Sequence, residues 1–276
     1  MLYPTMKKQL LAASALTLVL PSLSMGALVA WYPLDSDAND ASGNGHDGSV
    51  VGGGLTFGQA GANGSTGQST DFAGTGQIDV PWSPALNTSD FTVTLWANAA
   101  STGGFASPIT NRDDVPLGGY RHGYVIYNNN VGLWSFWNGG GPGANGGWNV
   151  ADGPAVSTDT WEHVAITYDS ATNIKTMYID GTAVSTTNPV AFSPNNGDLP
   201  DGFNHQNENL HIGSGADDGS KFRWNGGIDD VSIWDEALDQ TAIQDIMDNS
   251  ITLIPEPTSL GLLSLAGLAL LRRRRR

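Results

Sequence analysis

The stretch Trp161-Glu162-His163-Val164-Ala165-Ile166-Thr167-Tyr168-Asp169, followed by Ile174-Lys175-Thr176-Met177-Tyr178-Ile179 and then Asp180-Gly181, decides the class of fold. Both runs are short, rich in aromatic and β-branched residues, and bounded by turn residues, which reads as strands. Asp180-Gly181 directly after Tyr178-Ile179 is a hairpin turn. Working outward, the same pattern gives strands at 28–34, 77–80, 91–98, 120–127, 132–137, 209–212 and 228–234. The glycine-rich stretches 52–67 and 139–147 read as loops, because strand patterns continue on both sides. One helix fits, over 240–247, with Asp239 as its N-cap. Many strands and one late helix predict a single all-β sandwich or jelly roll.

The two ends of the chain are of another kind. Lys7 and Lys8 precede an apolar run over 10–20 and then Pro21-Ser22-Leu23-Ser24-Met25-Gly26. A charged start, a greasy middle and small residues are the parts of a signal peptide, here 1–26, cut near Gly26 or Ala27. At the far end, Pro255-Glu256-Pro257 leads into an uncharged, mostly apolar run over 258–271 and then five arginines, Arg272 to Arg276. A short apolar segment closed by a dense positive cluster is a membrane stop signal, with the cluster kept on the cytoplasmic side. The run is shorter than the roughly 20 residues of a full span, which suits a transient hydrophobic helix better than a permanent anchor. This tail, 251–276, resembles the PEP-CTERM sorting signal of Gram-negative bacteria. The resemblance implies cutting near Pro255, Glu256 and Pro257 by the membrane protease exosortase. It also implies delivery of the mature chain to the cell surface or extracellular matrix, beside exopolysaccharide.

Removing both ends leaves five basic residues against 26 acidic ones, a formal charge of −21. Such a surface repels nucleic acid and anionic lipid and favours cations. The five cations, Arg112, Arg121, Lys175, Lys221 and Arg223, are scattered along the sequence, with no basic stripe for phosphate. Contact with a membrane is expected only through the C-terminal segment, before processing. Cysteine is absent, so stability rests on the core and on any bound metal. Of the 26 acids, 23 are Asp, a residue of turns and of calcium loops rather than of helices.

Three segments carry a second resemblance. Trp31-Tyr32-Pro33-Leu34-Asp35 leads into an Asp/Asn/Gly-rich loop ending Gly45-His46-Asp47-Gly48. The Trp161 run leads to Asp180-Gly181. Gly227-Ile228-Asp229-Asp230-Val231-Ser232-Ile233-Trp234 is followed by Ala237-Leu238. In this order they are similar to the LamG-like jelly-roll domain of the concanavalin A-like lectin/glucanase superfamily. Trp234-Asp235 stands where that family often has Tyr-Asn. The resemblance implies a β-sandwich of two antiparallel sheets over 27–250, with the first and last strands as neighbours.

Alternation puts Asp229 on the face of Val231 and Ile233. A carboxylate in an apolar interior is costly unless a cation or several donors meet it. The loop over 35–47 offers hard oxygen ligands of the kind calcium takes. Because the resemblance makes the first and last strands neighbours, it implies a structural Ca²⁺ site at Asp40, Asn44 and Asp229, with Asp35 and the His46 carbonyl as further ligands. The competing reading is an array of Asx turns, with Asp229 accepting backbone N–H groups. The spacing is not that of an EF-hand.

The superfamily includes glycoside hydrolases, which need two carboxylates facing one cleft, about 5–5.5 Å apart for retention. No Glu-x-Asp-x-x-Glu pattern occurs, and Glu162, Glu208 and Glu236 stand apart. Glu162, in phase with Val164 and Ile166, is expected at a strand mouth, and His163 is expected to be packed. There is no Gly-x-Ser-x-Gly elbow and no zinc spacing. The expectation is a non-catalytic binding module. Its binding surface is expected between 119 and 150, where rings alternate with asparagines. Trp134 and Phe136 share a core face, while Trp137 points the other way and Trp148 follows the glycine loop. Trp137, Trp148, Tyr120 and Arg121 are the carbohydrate-binding candidates, with extracellular polysaccharide as the expected partner. A structural or adhesive surface protein with a protein partner is the alternative, and a remote glycosidase the third reading.

Overall fold

The computed structural model describes residues 26–115, 120–141, 147–187, 190–195, 207–216 and 221–251, the side chains of 114, 115 and 120 excepted. The expected signal peptide through Met25, the expected sorting segment beyond Ile251 with Pro255, Glu256 and Pro257, and most of the 139–147 stretch lie outside these residues. In chain order the strands are β1 (Leu28–Tyr32), β2 (Ser49–Gly52), β3 (Leu55–Ala60), β4 (Gln68–Ala73), β5 (Gly76–Val80), β6 (Phe91–Ala99), β7 (Ala106–Val115), β8 (Tyr120–Asn128), β9 (Leu133–Gly139), β10 (Trp148–Ala155), β11 (Trp161–Asp169), β12 (Ile174–Ile179), β13 (Thr182–Thr187), β14 (Leu210–Ile212) and β15 (Asn225–Trp234). One helix, α1 (Gln240–Asn249), follows.

They form an all-β jelly-roll sandwich of two antiparallel sheets. The first sheet runs β13-β12-β11-β6-β15-β4-β3, with β1 also paired to β15; the second runs β10-β9-β8-β7-β14-β5-β2. Inward side chains of both sheets make one core. Val93, Leu95, Val164, Ile166, Met177, Val231 and Ile233 come from the first sheet, and Ile78, Ile109, Ile126, Trp134, Phe136 and Ile212 from the second. Ring stacking closes it: Trp134 lies 5.9 Å from Trp224, and Phe91 lies 4.8 Å from Tyr124. Lys175 is also sealed inside, its Nζ donating to the Phe136 and Asn149 carbonyls and to Asn138 Oδ1. Burial pushes this ammonium down to about 7, partly countered by the charge of Asp152.

The last strand explains how the ends of the chain meet. β6 pairs with one side of β15 along its length. On the other side, β4 takes Asn225 to Ile228 and β1 takes Val231 to Trp234. Between these halves Asp230 adopts a left-handed φ of 52°, and the register shifts between Asp229 and Ser232. This is a β-bulge, one extra residue that resets the alternation. It moves Asp229 off the face of Val231 and Ile233. Ile228, Val231 and Ile233 face the core, while Asp229, opposite Trp96, shares the outer face with Ser232 and Trp234. The expected position of Asp229 beside the core valines is therefore corrected. Asp229 is nonetheless fully buried, because the 61–67 loop folds over it.

The helix follows its sequence signals. Asp239 caps it by accepting from the Ala242 N–H, and Ile243 and Ile246 pack on Ala165, Tyr178, Trp234 and Leu238 of the first sheet's outer face. Each buried isoleucine contributes about 1.5–3 kcal/mol of apolar transfer. The 52–67 stretch is not simply a loop. It contains β3, which pairs with β4 across a bulge at Gly58, where φ is 77°. β3 is an edge strand in which only Leu55 and Phe57 are partly buried, so its pattern carries little alternation.

Candidate functional site

The outer face of the second sheet carries the rings. On β9, Trp134 and Phe136 point into the core, so Trp137 points out, and β10 sets Trp148 and Val150 beside it. Trp137 and Trp148 are half-buried with ring centres 6.5 Å apart, and Val150 is exposed. Tyr127 of β8 lies 5.4 Å from Trp137. Phe105, from the loop before β7, packs edge-on against Tyr127, Trp137 and Phe222. Five aromatic residues from three strands and two loops thus form one patch.

A single guanidinium sits among them. Arg112 lies 5.5 Å from the Trp148 ring centre and 5.9 Å from that of Phe222, and its Nη1 donates to the Tyr127 hydroxyl at 3.0 Å. Tyr127 in turn donates to the Gly215 carbonyl. Cation–π contact and this hydrogen bond fix the guanidinium in place. Beneath Trp137, Ser135 Oγ accepts from the indole Nε1 and donates to Asp152, which Asn129 also meets. The ring is therefore oriented by its polar edge, leaving its face as the contact surface. Further along the sheet, His211 Nδ1 and Asp79 Oδ1 lie 2.7 Å apart. Burial alone would raise the Asp79 carboxyl. Hydrogen bonds from His211 and Gln77, with the nearby charges of His211 and Arg223, hold it below the usual range. A cleft of about 190 Å³ opens beside Phe105, bordered by Thr102 and Arg223.

The residues expected to bind calcium fall into two groups. Asp40 accepts from the backbone N–H groups of Trp31, Ser42 and His46. Burial alone would raise its carboxyl, but these donors and the Ser42 side chain hold it below the usual range. Asn44 spends its amide on the Leu28 and Val29 carbonyls, and the His46 carbonyl accepts from the Tyr32 hydroxyl. The second group is Asp229 with Asp35. Asp229 Oδ2 accepts from the Ala62 N–H, while its Oδ1 is buried with no hydrogen-bond partner. Burial, with the charges of Asp230 and Asp35, pushes Asp229 up to about 7 against the hydrogen bonds it accepts from Ala62 and Thr66. Asp35 Oδ1 accepts from the Gln68 N–H. Among the described residues, no three or more Asp, Glu or His side chains are grouped to hold a metal ion.

The scattered glutamates do not pair. Glu162 faces the core with Val164 and Ile166, buried between the sheets rather than open at a strand mouth. It accepts from Trp134 Nε1 and from the Ser157 N–H and hydroxyl. Glu236 is exposed beyond β15.

Residues 72–244 match the concanavalin A-like lectin/glucanases superfamily. The chain belongs to this superfamily. No curated protein matches it. Domain 4 of an extracellular GH43 arabinanase from Geobacillus stearothermophilus, solved with arabinotriose, superposes with a TM-score of 0.55 at 21% identity, over 80% of this chain and 98% of that one. The binding domain of Paraclostridial mosquitocidal protein 1 gives 0.57 at 16% identity, over 80% of this chain and 52% of that one. The CBM40 of the Ruminococcus gnavus IT-sialidase, bound to α2,3-sialyllactose, gives 0.52 at 14% identity, over 64% and 95%. At these identities the likeness is one of fold.

Within this superfamily fold, Trp137 and Trp148 share one face. Arg121 is half-buried at the start of β8, and of Tyr120 only the backbone is described. Sequence reading missed Arg112, Phe105 and Phe222, which reach the patch from a strand too polar to recognise and from two loops. The available signal was charge: Arg112 is one of only five cations in an acidic domain.

Proposed function

We propose that the chain is an exported, non-catalytic glycan-binding module, whose site is the ring patch of Trp137, Trp148, Tyr127, Phe105 and Phe222 around Arg112. The half-exposed pair Trp137–Trp148, held against a guanidinium on the second sheet's outer face, carries this reading. Sugar C–H faces stack on such rings, and Arg112 and Arg223 offer donors to hydroxyl or carboxylate oxygens. The sugars bound by the arabinanase domain and by the CBM40 module lend support at the level of fold. A glycan array probed with the full chain and with Trp148→Ala tests it. Specific signals lost in the variant are expected. A blank array, together with capture of a protein partner that survives the substitution, would replace it with the adhesive reading.

Export belongs to the same proposal. Ala27 exchanges backbone and side-chain hydrogen bonds with Asp235, which supports a cut near Gly26 or Ala27. Exosortase processing at Pro255-Glu256-Pro257 and delivery to the surface or matrix complete it. Structural calcium is also proposed, at Asp229 and Asp35, on the strength of the buried Oδ1 of Asp229. The three N–H groups on Asp40 favour the Asx-turn account for Asp40, Asn44 and His46. Calcium is expected to raise the melting temperature of the wild type and not of Asp229→Asn. A chelator that leaves the wild-type melting temperature unchanged removes calcium from the reading.

A further inference from the structure

Among the described residues, the first sheet's outer face is covered at one end only. α1 covers Ala165, Tyr178 and Trp234, and the 61–67 loop covers Asp229. One row further along, Asp71, Gly227, Asn98 and Trp161 stand side by side on four adjoining strands, β4, β15, β6 and β11. Here a cleft of about 320 Å³ remains open, bordered by Asp71, Asn98, Asp159 and Trp161 over a floor of Gly226 and Gly227. The floor is bare backbone for a reason. A Cβ on Gly227 would lie 2.5 Å from Trp161 Cη2, so the indole rests directly on β15. A Cβ on Gly226, whose φ is 128°, would lie 2.0 Å from the Asn98 carbonyl oxygen. Trp161 is half-buried, with one face on glycine and the rest open. Among the described residues, the side chains of Asp71, Asn98 and Asp159 spend no hydrogen bond on the protein.

We infer that this cleft is a second sugar-binding site, distinct from the ring patch on the opposite sheet, and that it takes an uncharged pyranose ring. An indole resting against backbone and partly exposed is a stacking platform for the apolar face of a sugar. The Asn98 amide and the two carboxylates supply acceptors and donors at its rim for vicinal hydroxyls. At about 320 Å³ the space stands at the small end of ligand sites, the size of one ring rather than a long chain. Charge sets the class. Asp71 and Asp159 border the cleft and, among the described residues, no cation lines it, so a uronate or a sialate is repelled here, whereas Arg112 stands at the other face.

Calorimetric titration of the full chain with cellotetraose, mannotetraose and maltotetraose tests the assignment. At least one is expected to bind the wild type. Its affinity is expected to fall about tenfold or more in Trp161→Ala and several-fold in Asn98→Ala, and to be unaffected in Trp148→Ala. Asn98→Ala guards against a folding defect in Trp161→Ala, and unchanged melting of either variant confirms that the domain is intact. Failure of all three sugars to bind the wild type overturns the assignment. So does binding that survives both substitutions. Binding lost in Trp148→Ala alone also overturns it, while upholding the ring patch as the glycan site.

Discussion

The first sheet's outer face and the second sheet's outer face arise from the same alternation and are finished differently. On the first, Ala165, Tyr178 and Trp234 are sealed by α1 and its two isoleucines. On the second, Trp137, Trp148 and Tyr127 meet one another, two phenylalanines and Arg112. The end of that first face under α1 adds to stability and is closed to ligands, while its far end, at Asn98 and Trp161, stays open. A face with half-exposed rings gives up part of that burial and keeps a surface for recognition. Hydrophobicity alone does not separate the two, since each carries large aromatic residues. Among the described residues, what separates the α1-covered end from the ring patch is the later segment of chain that returns to lie on it.

The largest expected effect comes from uncovering the sealed face. Replacing Ile243 and Ile246 together by alanine should lower unfolding stability by about 4 kcal/mol or more, read by urea denaturation. Glycan binding by the ring patch should not change under folding conditions. A loss of binding in this variant would show that the two faces are coupled.

A second effect separates the faces by pH. His163 lies in phase with Ala165 on the sealed face, and burial pushes its imidazole down to about 3. The unfolded chain, with an ordinary histidine near 6.5, binds the extra proton first, so stability falls as pH drops from about 6.5 toward 3, on the order of a few kcal/mol. His163→Phe should flatten this acid limb. Lys175, lowered to about 7, works in the same direction in a higher window, so stability rises between pH 7 and about 10.4. Melting curves across pH for the wild type and His163→Phe measure both.

Smaller still is the effect of the exposed rings on stability. Trp148→Ala should weaken glycan binding about tenfold, which is 1.4 kcal/mol, with a melting temperature close to wild type. A large loss of melting temperature instead would place Trp148 with the sealed residues. Smallest is the helix cap: Asp239→Ala should cost about 1 kcal/mol, with no change in binding.

Much of this was legible in the sequence. The alternating strands β11, β12 and β15, the Asp180-Gly181 turn and the Asp239 cap announce the sandwich and its helix. The resemblance carried by Trp31, Trp161 and Gly227 segments agrees with the superfamily found. Strands without a run of buried apolar residues to declare them were not legible. β2 exposes all four residues, and β7 runs through Asn111-Arg112-Asp113-Asp114. Asp229 was misplaced because alternation holds only until a residue takes a left-handed φ, and Asp230 gives no sign of doing so. Trp137 could be chosen from phase, and Trp148 from its place after the glycine loop. Phe105 and Phe222 could not, because only the folded loops bring them to Arg112.

The bulge in β15 also governs timing. It lets one strand accept β4 on its first half and β1 on its second, so among the described residues β1 has its only sheet partner in the last strand. Ala27 and Asp235, which bond beside this junction, are 208 residues apart in the chain. Closing so long a loop is slow, and during synthesis the partner strand does not yet exist. The N-terminal strand therefore stays unpaired until nearly the whole domain has been made. A chain that cannot complete its core early remains threadable, which suits the proposed export, with folding on the far side of the membrane.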